Sequence, residues 1–285
     1  MTSQNADKVS IVDLNGGRVL SETVIEGGPA PVVYDDRNKI AYVVSAKTGQ
    51  LSALDDKGGI LWQADLGEGT FGLAVASDGG LFITHWYASK LMRFDARLTP
   101  LWAVQTGKSP AGVAVSSDGT LVATADRDDD RVSIYDAVTG RRLRIVATGR
   151  HPYAVAFYGG FLWTTDVQSD TITVIDPISG RIVGTVATGS HPYGIAFAGG
   201  RGFVTNQYAG TVTVFDLNGL KVIETLETGD YPEGIATLPD GSGVAVVHWD
   251  SNTLVTIDAQ SLAVTQTVDL PDGPRAFGQF TGRQR

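Results

Sequence analysis

TGRHPYAVAFYGG (residues 148–160) and TGSHPYGIAFAGG (188–200) stand 40 residues apart and are nearly the same sentence written twice. Each sets a His-Pro-Tyr step between a Thr-Gly turn and an apolar run. Two looser copies keep the plan, TGKSPAGVAVSSDG (106–119) and TGDYPEGIATLPDG (228–241). Self-similarity at a period near 40 marks an array of like supersecondary units, each burying its apolar face against the next. What every copy shares serves the fold. What a few copies add is where function is sought.

A second landmark confirms the period. An alternating apolar strand closed by Asp occurs as VSIVD (9–13), LSALD (51–55), LMRFD (91–95), VSIYD (132–136), ITVID (172–176), VTVFD (212–216) and LVTID (254–258). The alternation has period two, the signature of a strand with one face on each side of a sheet. Turn formers follow each Asp, whose side chain is suited to capping the turn through backbone N–H groups. A further strand, a Gly-x-x-Pro corner, a short Gly/Ala/Val run and a Gly-containing hairpin complete each unit. Four short antiparallel strands per repeat, seven times over, predict an all-β, seven-bladed β-propeller occupying residues 1–285 as one domain. No segment carries a helical period. Gly72, Gly112, Gly194 and Gly234, with Ala154, Ala276 and Pro31 in register, fit crowding near the axis, and Trp62 and Trp102 fit inter-blade core.

Bulk composition narrows the function classes. The chain is 42% hydrophobic and 19% charged, enough to bury a large core. A net charge of −9 argues against a duplex nucleic-acid binder, which must displace counterions with Lys and Arg. There are no cysteines, hence no disulfides or thiolate chemistry. No apolar run approaches the length of a membrane span, so a soluble, acidic, monomeric protein is expected.

The stretch RGFVTNQYAGTVTVFDLNGLKVIETLETGDYPEGIA (201–236) resembles the YVTN-repeat family of β-propellers, with FVTN at 203–206 and TVTVFD at 211–216. The likeness extends over essentially the whole chain. It implies a propeller and leaves the chemistry open, because such propellers are mostly scaffolds for binding.

Aligning Asp13 with Asp216 lays residues 1–13 on 204–216 without a gap, so the chain enters within a second strand. DGPRAFGQF (272–280) reads as a corner and first strand with nothing after it. The seventh blade is therefore expected to be composite, its first strand from the C-terminus and the rest from the N-terminus, leaving no open edge. The same alignment suggests an export signal and a few strand residues upstream of Met1. That would place the protein in the periplasm or outside the cell, and without such a signal it would be cytoplasmic.

Differences between copies locate a candidate site. Before the Pro position the corners carry Gly28, Gly69, Ser109, His151, His191, Tyr231 and Gly273, and after it Ala30, Phe71, Ala111, Tyr153, Tyr193, Glu233 and Arg275. Blade two replaces the Pro by Thr70. Bulky hydrogen-bonding groups are thus concentrated on blades four to six. Second strands end in Ser3, Ser45, His85, Asp126, Asp166, Asn206 and His248, with Trp86 and Trp249 following the two histidines and Arg127 and Asp250 beside this ring. All four histidines map to one end of the propeller, where polar and aromatic groups can converge on a ligand.

Three readings follow. The first is a non-catalytic binding propeller holding a small molecule, cofactor or protein partner at the mouth of blades four to six. Its candidate contacts are His151, Tyr153, His191, Tyr193, Tyr231, Glu233, His85, Trp86, Asp126, Asp166, Asn206 and Trp249. The second is a lyase or hydrolase at the same mouth. A divalent metal held by His151, His191 and His248 with Asp166 or Glu233 would suit it chemically, although no local ligand spacing such as His-x-His is present. So would a His–Asp base with a tyrosine oxyanion donor. FLWTTD (161–166) resembles the Trp-Phe-Thr-Glu strands of streptogramin lyases, which with lactonases are propellers of that chemistry, but no catalytic residue carries over. The third is an exported structural or interaction propeller without ligand. DRDDDR (126–131) reads as a solvated loop and lacks the EF-hand pattern.

Overall fold

The computed structural model describes residues 1–283, arranged as seven sheets around a central axis. Six sheets are four-stranded and antiparallel, with strands in chain order from the axis outward. Blade four is representative, with strands Pro152–Tyr158, Phe161–Asp166, Thr171–Ile175 and Ile182–Ala187. Among the described residues the only helical element is a single 3-10 turn, Arg127–Asp129.

The seventh blade is composite, as expected. Its three regular strands are Thr2–Ser3, Lys8–Asp13 and Arg18–Val24. The C-terminal segment joins them through a Ser3–Pro274 bridge, with Gln4 N–H donating to the Gly273 carbonyl at 2.8 Å and Arg275 N–H to that of Thr2 at 2.9 Å. The segment then turns its carbonyls to blade one, accepting from Val32 N–H at Phe277 (3.0 Å) and from Tyr34 N–H at Gln279 (2.8 Å). It serves two blades at once, so it is a strap between them and not a regular fourth strand.

The core lies between blades. Each cluster of buried side chains draws on neighbouring sheets, for example Trp163, Ile172 and Val174 of blade four with Ile195, Phe197 and Phe215 of blade five. Trp62 packs beside Tyr42 (6.0 Å between rings) and Trp102 beside Phe82 (5.8 Å), both in inter-blade clusters. The third-strand Asp caps its turn as the sequence suggests: Asp136 Oδ1 accepts from the N–H groups of Val138 (3.2 Å) and Thr139 (2.8 Å). Those bonds, the Thr139 backbone N–H foremost, hold its carboxyl below the usual carboxylate range.

Near the axis the inner strands touch backbone to backbone. A Cβ placed on Gly112 would lie 2.6 Å from the Tyr153 carbonyl oxygen, and one on Gly194 2.8 Å from that of Glu233, so no side chain fits. A threonine on the second strand fastens this contact. Thr84 Oγ accepts from Gly72 N–H (2.7 Å) and donates to the Ala111 carbonyl of the next blade (2.9 Å). Thr165 does the same between Ala154 and Tyr193, and Thr205 between Gly194 and Glu233. Thr2, its counterpart in the composite blade, donates to the Ala30 carbonyl at 2.8 Å.

Thr84→Val keeps the shape and strands two buried backbone groups, so it should cost about 1–3 kcal/mol. A thermal melt should show a clear fall in Tm, and an unchanged Tm would remove the hydroxyl bridge from the account.

Candidate functional site

The corner that leads into each first strand needs a left-handed backbone. Gly28, Gly69 and Gly273 adopt φ of 70°, 96° and 66°, and Ser109, His151, His191 and Tyr231 take 51°, 52°, 58° and 52° at the same position. Corner backbones are anchored alike whichever residue is present. Gly28 N–H donates to Asp7 Oδ1 (2.7 Å), while His151 and His191 N–H donate to Asp130 and Asp170 (both 2.8 Å). A non-glycine residue in this region costs roughly 1–2 kcal/mol. Leu98, Leu220 and Leu262 accept that cost in other turns, where each packs against a buried cluster.

At this end of the axis lies an open cavity of ≈ 510 Å³. Its floor is aromatic. Tyr153 and Tyr193 stack at 4.1 Å, flanked by Phe277 at 5.5 and 5.2 Å and by Phe71 at 6.1 Å from Tyr153. Tyr193 donates its hydroxyl to that of Tyr153 (2.7 Å) and receives an N–H from Arg275 (2.7 Å). Arg275 also reaches Gln4 (3.2 Å), lies 5.1 Å from the Trp249 ring, and sets Nε 2.7 Å from Glu233 Oε2 without an aligned N–H. Gln207 donates to the other Glu233 oxygen.

Burial pushes the Glu233 carboxyl up against the opposing pull of Arg275. Burial also works against the Arg275 charge, but Tyr193 and Glu233 outweigh it and hold the guanidinium protonated beyond its ordinary range. The floor tyrosines are pushed up chiefly by burial, Tyr193 to about 12, so both are neutral hydroxyls near neutral pH.

The wall is built by His151 and His191 from the corners and by Trp86, Tyr87, Arg127, Gln168, Gln207 and Tyr208 from the loops after the second strands. His191 stacks on Tyr208 at 3.9 Å and pairs through Nδ1 with Ser190 Oγ at 2.9 Å. Tyr231 stands on the rim, 5.6 Å from the Tyr208 ring. Of the sequence candidates, the structure brings His151, Tyr153, His191, Tyr193 and Trp86 together at the cavity. It sets Glu233 and Trp249 behind them as supports of Arg275.

The strand-end candidates are different and need correction. His85, Asp126, Asp166, Asn206 and His248 do not line the cavity; the last four are wholly buried. Each turns into its own blade. Asp126 binds Thr124 and Ser133, Asp166 binds Thr171 and Thr173, Asn206 binds Thr211 and Thr213, and His248 binds Thr228 and Thr253. Their side chains lie directly against the corner glycines 107, 149, 189 and 229, which is why the Thr-Gly step is there. His85 accepts from Ala88 N–H at 3.1 Å and lies beside Gly69. The three-histidine metal set therefore does not assemble. His248 is buried away from His151 and His191, burial lowers its pKa to about 4, and among the described residues no group of three His, Asp or Glu could hold an ion.

Sequence reasoning missed Tyr87, Gln168, Gln207 and Tyr208. They lie two residues beyond the strand end, or one in the case of Gln207. They sit in the turn after the strand, where the period-two alternation that points the strand-end side chain into its own blade no longer applies. A second and larger cavity of ≈ 1480 Å³ opens at the other end of the propeller, beside residues 9–15 and 280–283. It gathers none of the histidines and none of the convergent aromatic groups.

Burial raises the Asp166 pKa to about 6, partly offset by Thr173 and Thr171. The folded state thus binds its proton more tightly than the unfolded chain, and this group's contribution weakens as pH rises from about 4 to 6. Asp166→Asn copies Asn206, and should gain stability over wild type across that window, by at most about 3 kcal/mol. Urea melts at pH 4 and 7 check the sign. Arg275→Met should cost about 3–5 kcal/mol by leaving Glu233 buried without its counter-charge. Glu233→Gln in the same background should recover part of that loss.

Residues 5–150 match the model of the family described as outer membrane protein assembly factor BamB. No curated protein matches the chain significantly. Among solved structures it is similar to a streptogramin B lyase (18% identity, TM-score 0.75, covering 88% of this chain and 87% of that one). It is also similar to the hydrazine synthase of Kuenenia stuttgartiensis (16%, 0.76, 88% and 89%). A third is virginiamycin B lyase from Staphylococcus aureus (16%, 0.77, 89% and 89%). At these identities the likeness is one of fold.

Proposed function

This chain belongs to the family described as outer membrane protein assembly factor BamB, and from that premise we propose that it is a non-catalytic binding propeller. Its ligand is a small molecule seated at the mouth between the corners of blades four to six and the loop of blade two. Within the propellers its repeats resemble the YVTN type. The family's description refers to the outer membrane, which supports placing this chain in the periplasm or at the cell exterior. The matched residues stop at 150, so the family says nothing about His151 or the blades beyond it. The mouth is this chain's own feature.

One observation carries the reading. His151 and His191 occupy a left-handed position that glycine fills without cost in three sister corners, and their rings turn to the cavity. His151 Nδ1 is buried with no hydrogen-bond partner. His191 regains part of the backbone cost by stacking on Tyr208, whereas His151 leaves a buried polar atom unpaired, and a residue held against backbone preference in that way is best understood as serving a ligand. Enzymatic acid–base chemistry finds less support. Nδ1 of His191 meets a serine and that of His151 meets nothing, so neither imidazole has the carboxylate that would orient a general base.

The double variant His151→Gly/His191→Gly separates fold from function. Its Tm should equal or exceed that of wild type, because glycine relieves up to about 1 kcal/mol per corner. Native mass spectrometry after incubation with a metabolite extract should show a ligand retained by wild type and absent from the variant. A fall in Tm of several degrees, with no difference in retained ligand, would overturn the proposal.

A further inference from the structure

The unpaired groups of the mouth define the chemistry it would take. We propose that the mouth recognises a small planar carboxylate, an anionic group attached to an aromatic or conjugated body; this rests on the binding reading above. The lining includes Arg127, Arg275, His151 and His191 and not one Asp or Glu, in a chain whose net charge is −9. The nearest buried acid, Glu233, is 3% exposed and stands behind Arg275, where it neutralises the guanidinium without offering an oxygen to the cavity.

Three groups at the mouth keep hydrogen-bonding capacity that the chain does not use. The Tyr153 hydroxyl already accepts from Tyr193, and its own proton meets no acceptor among the described residues. Arg127 gives one N–H to Asp128 at 2.5 Å and keeps the rest of its five. His151 adds a ring nitrogen with no partner. A carboxylate supplies up to four lone-pair sites, against two on a neutral amide oxygen and none on an ammonium, and its hydrogen bonds are charge-assisted.

The planar half of the inference comes from the aromatic walls. Trp86 and Tyr87 belong to blade two and Tyr208 to blade five, so they face the axis from opposite sides of a seven-membered ring. Trp86 is held edge-on by Phe71 at 5.3 Å and capped by the Arg127 guanidinium at 5.6 Å. Tyr208 is held by the His191 stack. Tyr87 and Tyr208 nevertheless remain 70% and 59% exposed, a large aromatic area left in water at the rim of a concave site. Flat π-faces of this kind gain most from a flat partner. The cavity volume of ≈ 510 Å³ suits a ligand of one or two fused rings.

The test uses four probes on the intact chain: 2-naphthoate, 2-naphthamide, 2-naphthylmethylammonium and acetate. Binding is read by tryptophan fluorescence and calorimetry at low salt. The expected order has 2-naphthoate at least about ten-fold tighter than the amide and the ammonium, with acetate weakest for want of a ring. Arg127→Gln and His151→Gly should each weaken 2-naphthoate about ten-fold without lowering Tm, and added salt should weaken it further. Equal or tighter binding of the amide or the ammonium would overturn the carboxylate assignment. If that preferred probe is lost in His151→Gly, the mouth stands as a binding site and only the ligand class falls. If naphthoate binding is untouched by both variants, or no naphthyl probe binds wild type, both inferences fall.

Discussion

Neighbouring inner strands approach so closely that backbone meets backbone, and the rest of the molecule is arranged around that contact. Gly112 and Gly194 leave room for the next blade's carbonyl, and Thr84, Thr165 and Thr205 tie strand to strand through one hydroxyl each. The bond is local, but it fixes the spacing of blades and therefore where every corner stands. Corner backbones are then held by an Asp or Asn side chain from the preceding blade, as in His151 to Asp130 and Gly273 to Asn252. With the backbone settled by these contacts, the corner side chain is free to vary. Four blades use that freedom, and two of them bring imidazole rings to the cavity.

The same spacing explains why the axis is closed at this end. Once the strands are close, the residue after each corner proline projects inward, and Tyr153 and Tyr193 stack with Phe277 into a plug. Arg275, delivered by the strap that closes the ring, bonds Tyr193 and Gln4 and neutralises Glu233. One guanidinium thus joins the composite blade to blades five and six and sets N–H donors beneath the mouth. Ring closure and site electrostatics depend on the same side chain.

Much of this was legible in the sequence because it repeats. Seven Asp-closed strands at a regular interval specify a seven-bladed propeller, and the gap-free alignment of residues 1–13 with 204–216 identifies the composite blade. The corner residues were legible too, since comparing copies isolates His151, Tyr153, His191 and Tyr193. What could not be read was the direction of a side chain at the end of a strand. Asp166, Asn206 and His248 look like a polar ring around the mouth, yet the pleat turns them into their own blades, where they brace threonines and corner glycines. Tyr208 and Gln168 escaped notice because their loop has no periodic rule to mark it. The strap was legible as a segment but not as a pairing, because its hydrogen bonds are divided between two blades.

The central claim is that the mouth above the tyrosine plug is the ligand site. A crystal structure of the protein soaked with 2-naphthoate addresses it most directly. The account predicts density for the ring system between the Trp86 and Tyr208 walls, with the carboxylate within hydrogen-bonding distance of Arg127 or of the Tyr153 hydroxyl. Density instead in the larger cavity at the opposite end, beside residues 9–15 and 280–283, with the mouth holding only solvent, would contradict it.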